Sequence, residues 1–253
     1  MTTPAFEGKT ALVTGGRRGL CKAVALRLSG ECARVALVYH SRSLDAEQAQ
    51  EEIRSAGGNA VTIAADVSQP EEAHRCVGEA RAARGPIDIL VTSAGVAFPM
   101  PASDVTWEIW KKTLNINLDG TFNMIYAVKD EMIERKFGRI VTFASIAGLR
   151  PRAYQVPYST SKAAVIALTR CCAEAWAADN IRINCISPGL IETEMAGPLT
   201  DETIAEMIKA TPMERIGQPG EIAALARFLI SEESSFMPGQ TLVASGGRVM
   251  LPG

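Results

Sequence analysis

The stretch Thr10–Cys21, TALVTGGRRGLC, decides the fold. Thr10–Thr14 is a short apolar run rich in β-formers. It passes straight into Gly15, Gly16, Arg17, Arg18 and Gly19, and a helical pattern comes next over Gly19–Gly30. A strand that turns through glycines into a helix brings backbone N–H groups and a helix N-terminus to one point, where a diphosphate can bind. Glycine pairs also serve simply as tight turns. The order of the downstream elements therefore matters more than the glycines alone.

Outward from that stretch, short apolar runs alternate with longer helical patterns. Strands are expected at Ala33–Tyr39, Ala60–Val67, Ile87–Val91, Arg139–Ala144, Ile181–Ile186 and Thr241–Ala244. Helices are expected at Leu44–Ala56, from about Pro70, over about Val105–Arg135, and at Val156–Ala178, Asp201–Lys209 and Gly220–Ile230. Continuous apolar strands separated by helices predict a parallel sheet covered on both faces. The right-handed crossover rule then gives a doubly wound, Rossmann-type α/β sheet of about seven strands in one domain over residues 1–253. The least regular stretch is 188–217, broken by Pro198 and Pro212. Such an excursion after a strand end sits where open α/β sheets bind ligands.

Composition narrows the chemistry. The 253 residues carry 26 basic and 28 acidic side chains, a formal charge of -2, which predicts no nucleic-acid partner. No apolar run approaches the roughly 20 residues that span a bilayer, and MTTPAFEGKT has no basic stretch followed by an apolar one. A cytoplasmic protein without a membrane partner is expected. Only His40 and His74 are available as histidines, so neither a histidine base nor a histidine-rich metal site is favoured, and no metal is expected. The six cysteines form no C-x-x-C pair and read as reduced, small residues. An acid and an electron source must come from elsewhere.

The second strand ends Val38, Tyr39, His40, Ser41, Arg42, with no carboxylate before Asp45. A carboxylate near that point would mark an NAD ribose. Arg18, Arg42 and the hydroxyls of Ser41 and Ser43 can instead surround a phosphate, so NADP(H) is predicted. Arg42 also reads as an ordinary solvated loop cation. Asp66, before Val67, can accept from an adenine amino group or cap the next helix with Ser68; both readings stand. Tyr158 and Lys162, at i and i+4 on one helix face, form the chemical pair. An ammonium beside a phenol lowers its pKa from about 10, so Tyr158 can exchange a proton with a substrate oxygen.

Five features occur in order: the glycine turn, Ser93-Ala94-Gly95 after the fourth strand, Ser145 after the fifth, Tyr158-x-x-x-Lys162, and Pro188-Gly189 after the sixth. The set resembles the short-chain dehydrogenase/reductase family over essentially the whole chain. The resemblance implies a catalytic tetrad of Asn117, Ser145, Tyr158 and Lys162. Tyr158 would donate the proton in reduction. Lys162 would lower its pKa and hold the nicotinamide ribose, Ser145 would bond the substrate oxygen, and Asn117 would hold a water. Cofactor contacts would come from Gly15, Arg17, Arg18, Gly19, Leu20, His40, Ser41, Arg42, Asp66, Val67, Ala94, Gly95, Pro188, Gly189, Ile191 and Thr193, with Tyr158 and Lys162. Ile191 would use its backbone, and Thr193 would bind the carboxamide or phosphate.

Three positions depart from the family pattern: Cys21 for the third glycine, Thr92-Ser93 for two asparagines, and Ser245 for an aspartate. Within the family, FEGKTALVTGG, ERKFGRIV and PGLIETEM resemble 3-oxoacyl-(acyl-carrier-protein) reductases and related ketoreductases. That likeness implies NADPH-dependent reduction of a 3-oxoacyl thioester or related ketone by a homotetramer. An acidic acyl-carrier protein would need basic residues near the active-site mouth, and Arg135, Lys136 and Arg139 are the candidates. Asp179 stands where another base would be. Phe98, Pro99, Met100, Ala147, Leu149, Gln155, Leu190 and Met195 would line an apolar substrate pocket. Arg150 and Arg152 would contact an anionic group or a phosphopantetheine arm, and both also read, with more weight, as residues of a solvated loop. An alcohol or steroid dehydrogenase running in oxidation, and a retired binding scaffold, are the alternatives.

Overall fold

The computed structural model describes residues 5–16, 18–193 and 200–250. Seven strands form one parallel sheet: β1 (Thr10–Thr14), β2 (Arg34–Tyr39), β3 (Asn59–Ala64), β4 (Ile89–Thr92), β5 (Gly138–Phe143), β6 (Ile181–Pro188) and β7 (Thr241–Ala244). Their order is β3-β2-β1-β4-β5-β6-β7. Thr10 pairs with Arg34 on one side of β1 and Ala11 with Ile89 on the other. The chain changes direction of travel across the sheet between β1 and β4. A crevice opens there at the C-terminal strand edge, the usual ligand position in such sheets.

Among the described residues eight helices cover the faces: α1 (Gly19–Gly30), α2 (Ser43–Ser55), α3 (Pro70–Arg84), α4 (Trp107–Leu114), α5 (Gly120–Glu134), α6 (Val156–Trp176), α7 (Asp201–Lys209) and α8 (Pro219–Ile230). One core layer packs Val24 and Leu28 of α1 with Ile222 and Leu229 of α8 against Val13, Val35 and Ile89. The other packs Val77 of α3 with Met124, Val128 and Met132 of α5 against Leu12, Leu90 and Ile183. Each fully buried Leu, Ile or Met contributes about 1.5–3 kcal/mol. Burial on both faces explains why the strands read as continuous apolar runs rather than alternating ones.

Two expected elements differ. The third strand stops at Ala64 instead of Val67, because Asp66 Oδ1 accepts from the Ser68 amide at 3.0 Å and its hydroxyl at 2.8 Å. That local turn takes the chain out of the sheet and into α3, which begins at Pro70. The long helix expected at 105–135 is interrupted by a wide π-helical turn at Asn115–Asp119 between α4 and α5. Such bulges gather at functional sites.

The N-terminal strand edge is tied by charge. Asp88 accepts from the Thr10 amide at 3.0 Å and from Arg135 at 2.8 Å. Arg139 donates to the Asn180 carbonyl at 2.8 Å and to Glu232 at 2.9 Å. Its register partner Arg182 donates to the Ser234 and Ser231 carbonyls at 2.8 Å, closing the exit of α8. Among the described residues no helix is long and apolar enough to cross a membrane, and no cluster of three or more His, Cys, Asp or Glu is placed for a metal ion.

Candidate active site

Ser145 leaves the end of β5, and Tyr158 and Lys162 stand in the first turns of α6. Gly148 holds these pieces together: a Cβ there would lie 2.7 Å from the Ala163 amide nitrogen, so only glycine lets the loop touch the helix. Ser145 Oγ accepts from the Ala147 amide at 3.1 Å and is the polar side chain that acts on the Tyr158 hydroxyl. Lys162 is buried, and its Nζ donates to the Phe143 carbonyl at 2.9 Å. Its Nζ lies 5.8 Å from the Tyr158 ring centroid.

Asn117 occupies the π-helical turn and is fully buried. Its Nδ2 donates to the Val96 carbonyl and to Ser161 Oγ, both at 3.0 Å, and its Oδ1 accepts from the Val96 amide at 2.8 Å. Ser161 in turn donates to the Tyr158 carbonyl at 2.7 Å. Asn117 thereby clamps the strand β4 exit to the helix that carries Tyr158 and Lys162. A Cβ on Gly95 would lie 3.2 Å from Asn117 Oδ1 and 3.6 Å from Lys162 Nζ, so Gly95 brings the backbone beside both.

On the other half of the crevice a cavity of about 650 Å³ runs past Gly15, Arg18, Gly19, Leu20, His40, Ser41, Asp66, Val67, Ala94, Gly95 and Thr193. That volume suits a cofactor-sized ligand. Gly15 has φ +69° and a Cβ there would lie 3.3 Å from the Ala94 amide nitrogen. Helix α1 has no side-chain cap and no acid in its first turn, which leaves its leading N–H groups for an anion. His40 Nε2 stands 3.9 Å from Asp66 Oδ2. Arg42, with φ +58°, is exposed at the start of α2 and does not line the cavity. Arg17 and Met195 lie outside the described residues. Asn115 does line it, although the sequence pattern points to Asn117 two residues on.

The chain matches the model of the family described as enoyl-(acyl carrier protein) reductase over residues 15–248. It is 36% identical over 243 residues to the acetoacetyl-CoA reductase of Allochromatium vinosum, covering 96% of this chain and 99% of that one. It is 35% identical over 251 residues to glucose 1-dehydrogenase 2 of Bacillus subtilis, covering 98% and 97%. Its structure superposes on an Agrobacterium tumefaciens 3-oxoacyl (acyl-carrier-protein) reductase, crystallised with NADP bound, at a TM-score of 0.91, with 33% identity and coverage of 97% and 96%. The chain belongs to the short-chain dehydrogenase/reductase family.

In this oxidoreductase the expected departures have visible consequences. Thr14 Oγ1 accepts from the Ser93 amide at 3.1 Å and ties β1 to β4, while the Thr92 hydroxyl is buried without a partner. Short hydroxyls thus replace only part of what two amides would bond. Cys21 is buried beside Ser93, and burial pushes its thiol up to about 12. Ser245 Oγ accepts from the Val249 amide at 3.1 Å and pins the loop after β7. Gly189 donates to the Ala244 carbonyl at 2.8 Å, and a Cβ on it would lie 2.8 Å from Ser245 Cα. Pro188 ends β6 opposite Ala244. Ile191 bridges to Gly217 through the Leu190 carbonyl and Glu192 amide, which leaves its own backbone groups out of the bridge.

Burial raises the Tyr158 phenol pKa, and Ser145 opposes that rise, while the Lys162 ammonium beside the ring donates to the Phe143 carbonyl. Lys162 itself is lowered by burial from 10.5 to about 8. Arg135, Lys136 and Arg139 do not border the active-site mouth. They lie at the N-terminal end of β5, about 20 Å from Ser145 at 3.3 Å per residue. Arg135 pairs with Asp88, Lys136 with Asp179, and Arg139 with Glu232.

Proposed function

We propose that this chain reduces a ketone to a secondary alcohol with NADPH, through Asn117, Ser145, Tyr158 and Lys162. The observation that carries the proposal is the Tyr158 hydroxyl beside Ser145 and buried Lys162, whose Nζ approaches Gly95 on the wall of the cofactor-sized cavity. The cavity fits a nicotinamide dinucleotide because its glycine turn, uncapped α1 terminus and close-set Gly95 leave room for backbone approach. When bound, the nicotinamide supplies the hydride. Ser145 Oγ donates to the substrate carbonyl oxygen and orients it toward Tyr158. The Tyr158 phenol, protonated at neutral pH because burial raises it, gives that oxygen its proton. Lys162 holds positive charge next to the phenol as the proton leaves, and Asn117 fixes the distance between Gly95 and α6.

Arg18, His40 and Ser41 line the cavity where the second strand ends without a carboxylate, which supports NADP(H) over NAD(H). The relative named acetoacetyl-CoA reductase supports a 3-oxoacyl thioester or related carbonyl as substrate. The apolar loop 98–100 meets the loop after Ser145 through the Met100 amide and Tyr154 carbonyl at 3.0 Å. We also assign the 188–217 excursion to closure over the substrate, the chain to the cytoplasm, and its assembly to a homotetramer. An acyl-carrier protein, if it docks, uses a surface other than Arg135, Lys136 and Arg139. Tyr158→Phe should lower kcat about a thousandfold while NADPH affinity stays within about threefold. NADPH should exceed NADH in kcat/KM; a clear NADH preference, or full activity in the phenylalanine variant, would overturn the assignment.

A further inference from the structure

A second cavity, of about 440 Å³, opens at the N-terminal strand edge, the end of the sheet opposite Ser145. Its size falls within the roughly 300–1,000 Å³ of small-molecule pockets. Phe6, Ile89, Phe137 and Ile230 give it apolar walls, and Lys9 and Arg139 stand among them. It shares no lining residue with the cofactor-sized cavity. The backbone fixes Lys9 just before β1: its amide donates to the Phe6 carbonyl at 3.0 Å, and its carbonyl accepts from the Arg34 amide at 2.8 Å.

Two cations share one phenyl ring here. Lys9 Nζ lies 4.1 Å from the Phe137 ring centroid, and Arg139 Cζ lies 4.2 Å from it. Among the described residues no other ring carries two. The ring attracts each cation, while the cations repel one another. The guanidiniums at the cavity are matched by acids. Arg139 donates to Glu232 at 2.9 Å, and Arg227 donates to Glu31 at 3.1 Å and to Glu233. Lys9 is not matched. Among the described residues the half-buried Lys22 pairs with Glu52 and the half-buried Lys129 with Asp130, whereas half-buried Lys9 meets only the ring. The cavity thus combines apolar walls with one positive charge in excess. A lysine ammonium is a compact point charge with three donors to give. One excess charge suits a monoanion, and Glu232 and Glu233 in the lining oppose a dianion such as phosphate.

We propose that this cavity binds a monocarboxylate with an apolar body, its carboxylate on Lys9 and its body against Phe6, Ile89 and Ile230. The site stands apart from the tetrad and does not depend on the ketoreductase reading. Calorimetric titration of the full chain with octanoate and with 3-phenylpropanoate tells a flexible chain from an aromatic body, and the primary amide of each is its neutral control. At least one acid should bind about tenfold or more tighter than its amide. Saturating NADPH should leave that affinity within about twofold, because the two cavities are separate. Lys9→Gln should erase the preference for acid over amide, and Lys9→Arg should keep most of it. Glu233→Gln removes an acid from the lining and should tighten the acid about threefold. Movement in opposite directions separates a change of charge from damage to the fold. No binding of either acid, equal binding of acid and amide in both series, or an acid affinity that Lys9→Gln leaves unchanged would overturn the site. Displacement of the acid by NADPH would put it in the cofactor-sized cavity and overturn the site as well.

Discussion

The two ends of the parallel sheet bury charge in opposite ways. At the N-terminal edge Arg139 and Arg182 are 3% and 5% exposed, and their terminal guanidinium nitrogens donate to carbonyls and to Glu232, although Nε of each is buried without a partner. At the C-terminal edge Lys162 is just as buried, at 5%, with one carbonyl and no carboxylate. Buried charge that meets several carbonyls and a carboxylate holds elements together. Buried charge left short of partners shifts its pKa and marks chemistry. Burial lowers the Arg182 pKa as well, so it is the number of partners, and not the shift by itself, that sets Lys162 apart from the structural cations.

The largest effect expected from breaking this contrast is at the working end. Lys162→Met should lower kcat by about a thousandfold or more, yet leave the thermal midpoint at pH 7 no lower than in the parent. Keeping Lys162 charged inside, with its pKa lowered from 10.5 to about 8, costs on the order of 3 kcal/mol of stability. Removing it leaves one Phe143 carbonyl unpaired, which costs about 1–3 kcal/mol in return. The pH dependence has a definite sign. Below pH 8 both folded and unfolded chains hold the proton, and the destabilisation is fully present. Between about 8 and 10.5 the unfolded chain binds more protons, so the parent gains stability as pH rises and the variant's advantage disappears. Melting both proteins across pH 7–10 checks it, and a gap that does not narrow would break the reading. Reductase activity should fall over the same rise past pH 8, as Lys162 loses its charge.

The structural end should respond the other way. Arg182→Ala strips the carbonyls of Ser231 and Ser234 of their donor and should cost about 3 kcal/mol of unfolding free energy. The surviving folded enzyme should keep its kcat/KM, because Arg182 lies at the edge away from Ser145. Chemical denaturation alongside steady-state assay separates the two. A loss of turnover with unchanged stability would reverse the roles of the two ends.

Much of this was legible in the sequence. α1, α7 and β7 occur over the predicted spans because glycines, Thr200 and Gly239–Gln240 punctuate them. Ser145 sits just past a strand end and Tyr158 and Lys162 start a helix, whereas Asn117 reaches them from the π-helical turn between α4 and α5. Three things were not legible. The π-helical turn at Asn115–Asp119 has no turn residue to announce it, since it is an extra residue inside a continuous helical pattern. The early end of β3 depends on an Asp66–Ser68 bond that the apolar pattern does not report. Likeness to other reductases places Arg135, Lys136 and Arg139 near the active-site mouth, but strand direction fixes them at the N-terminal edge of β5, the opposite end of the sheet.

The smallest effect belongs to the one residue that bears on both halves of the working end. Cys21 is 2% exposed in α1, lines the cofactor-sized cavity and hydrogen-bonds Ser93. Cys21→Gly trades a buried, packed thiol for a flexible helix position, and each term is worth about 1 kcal/mol. Stability should therefore fall by about 1–2 kcal/mol, well short of Arg182→Ala. NADPH affinity should stay within about threefold, because the anion-facing groups are the N–H groups of the preceding turn rather than the thiol. Fluorescence titration with NADPH reads the second number directly. A tenfold gain in affinity would mean that the thiol obstructs the cofactor, and that the Cys21 substitution weakens binding instead of merely repacking the helix.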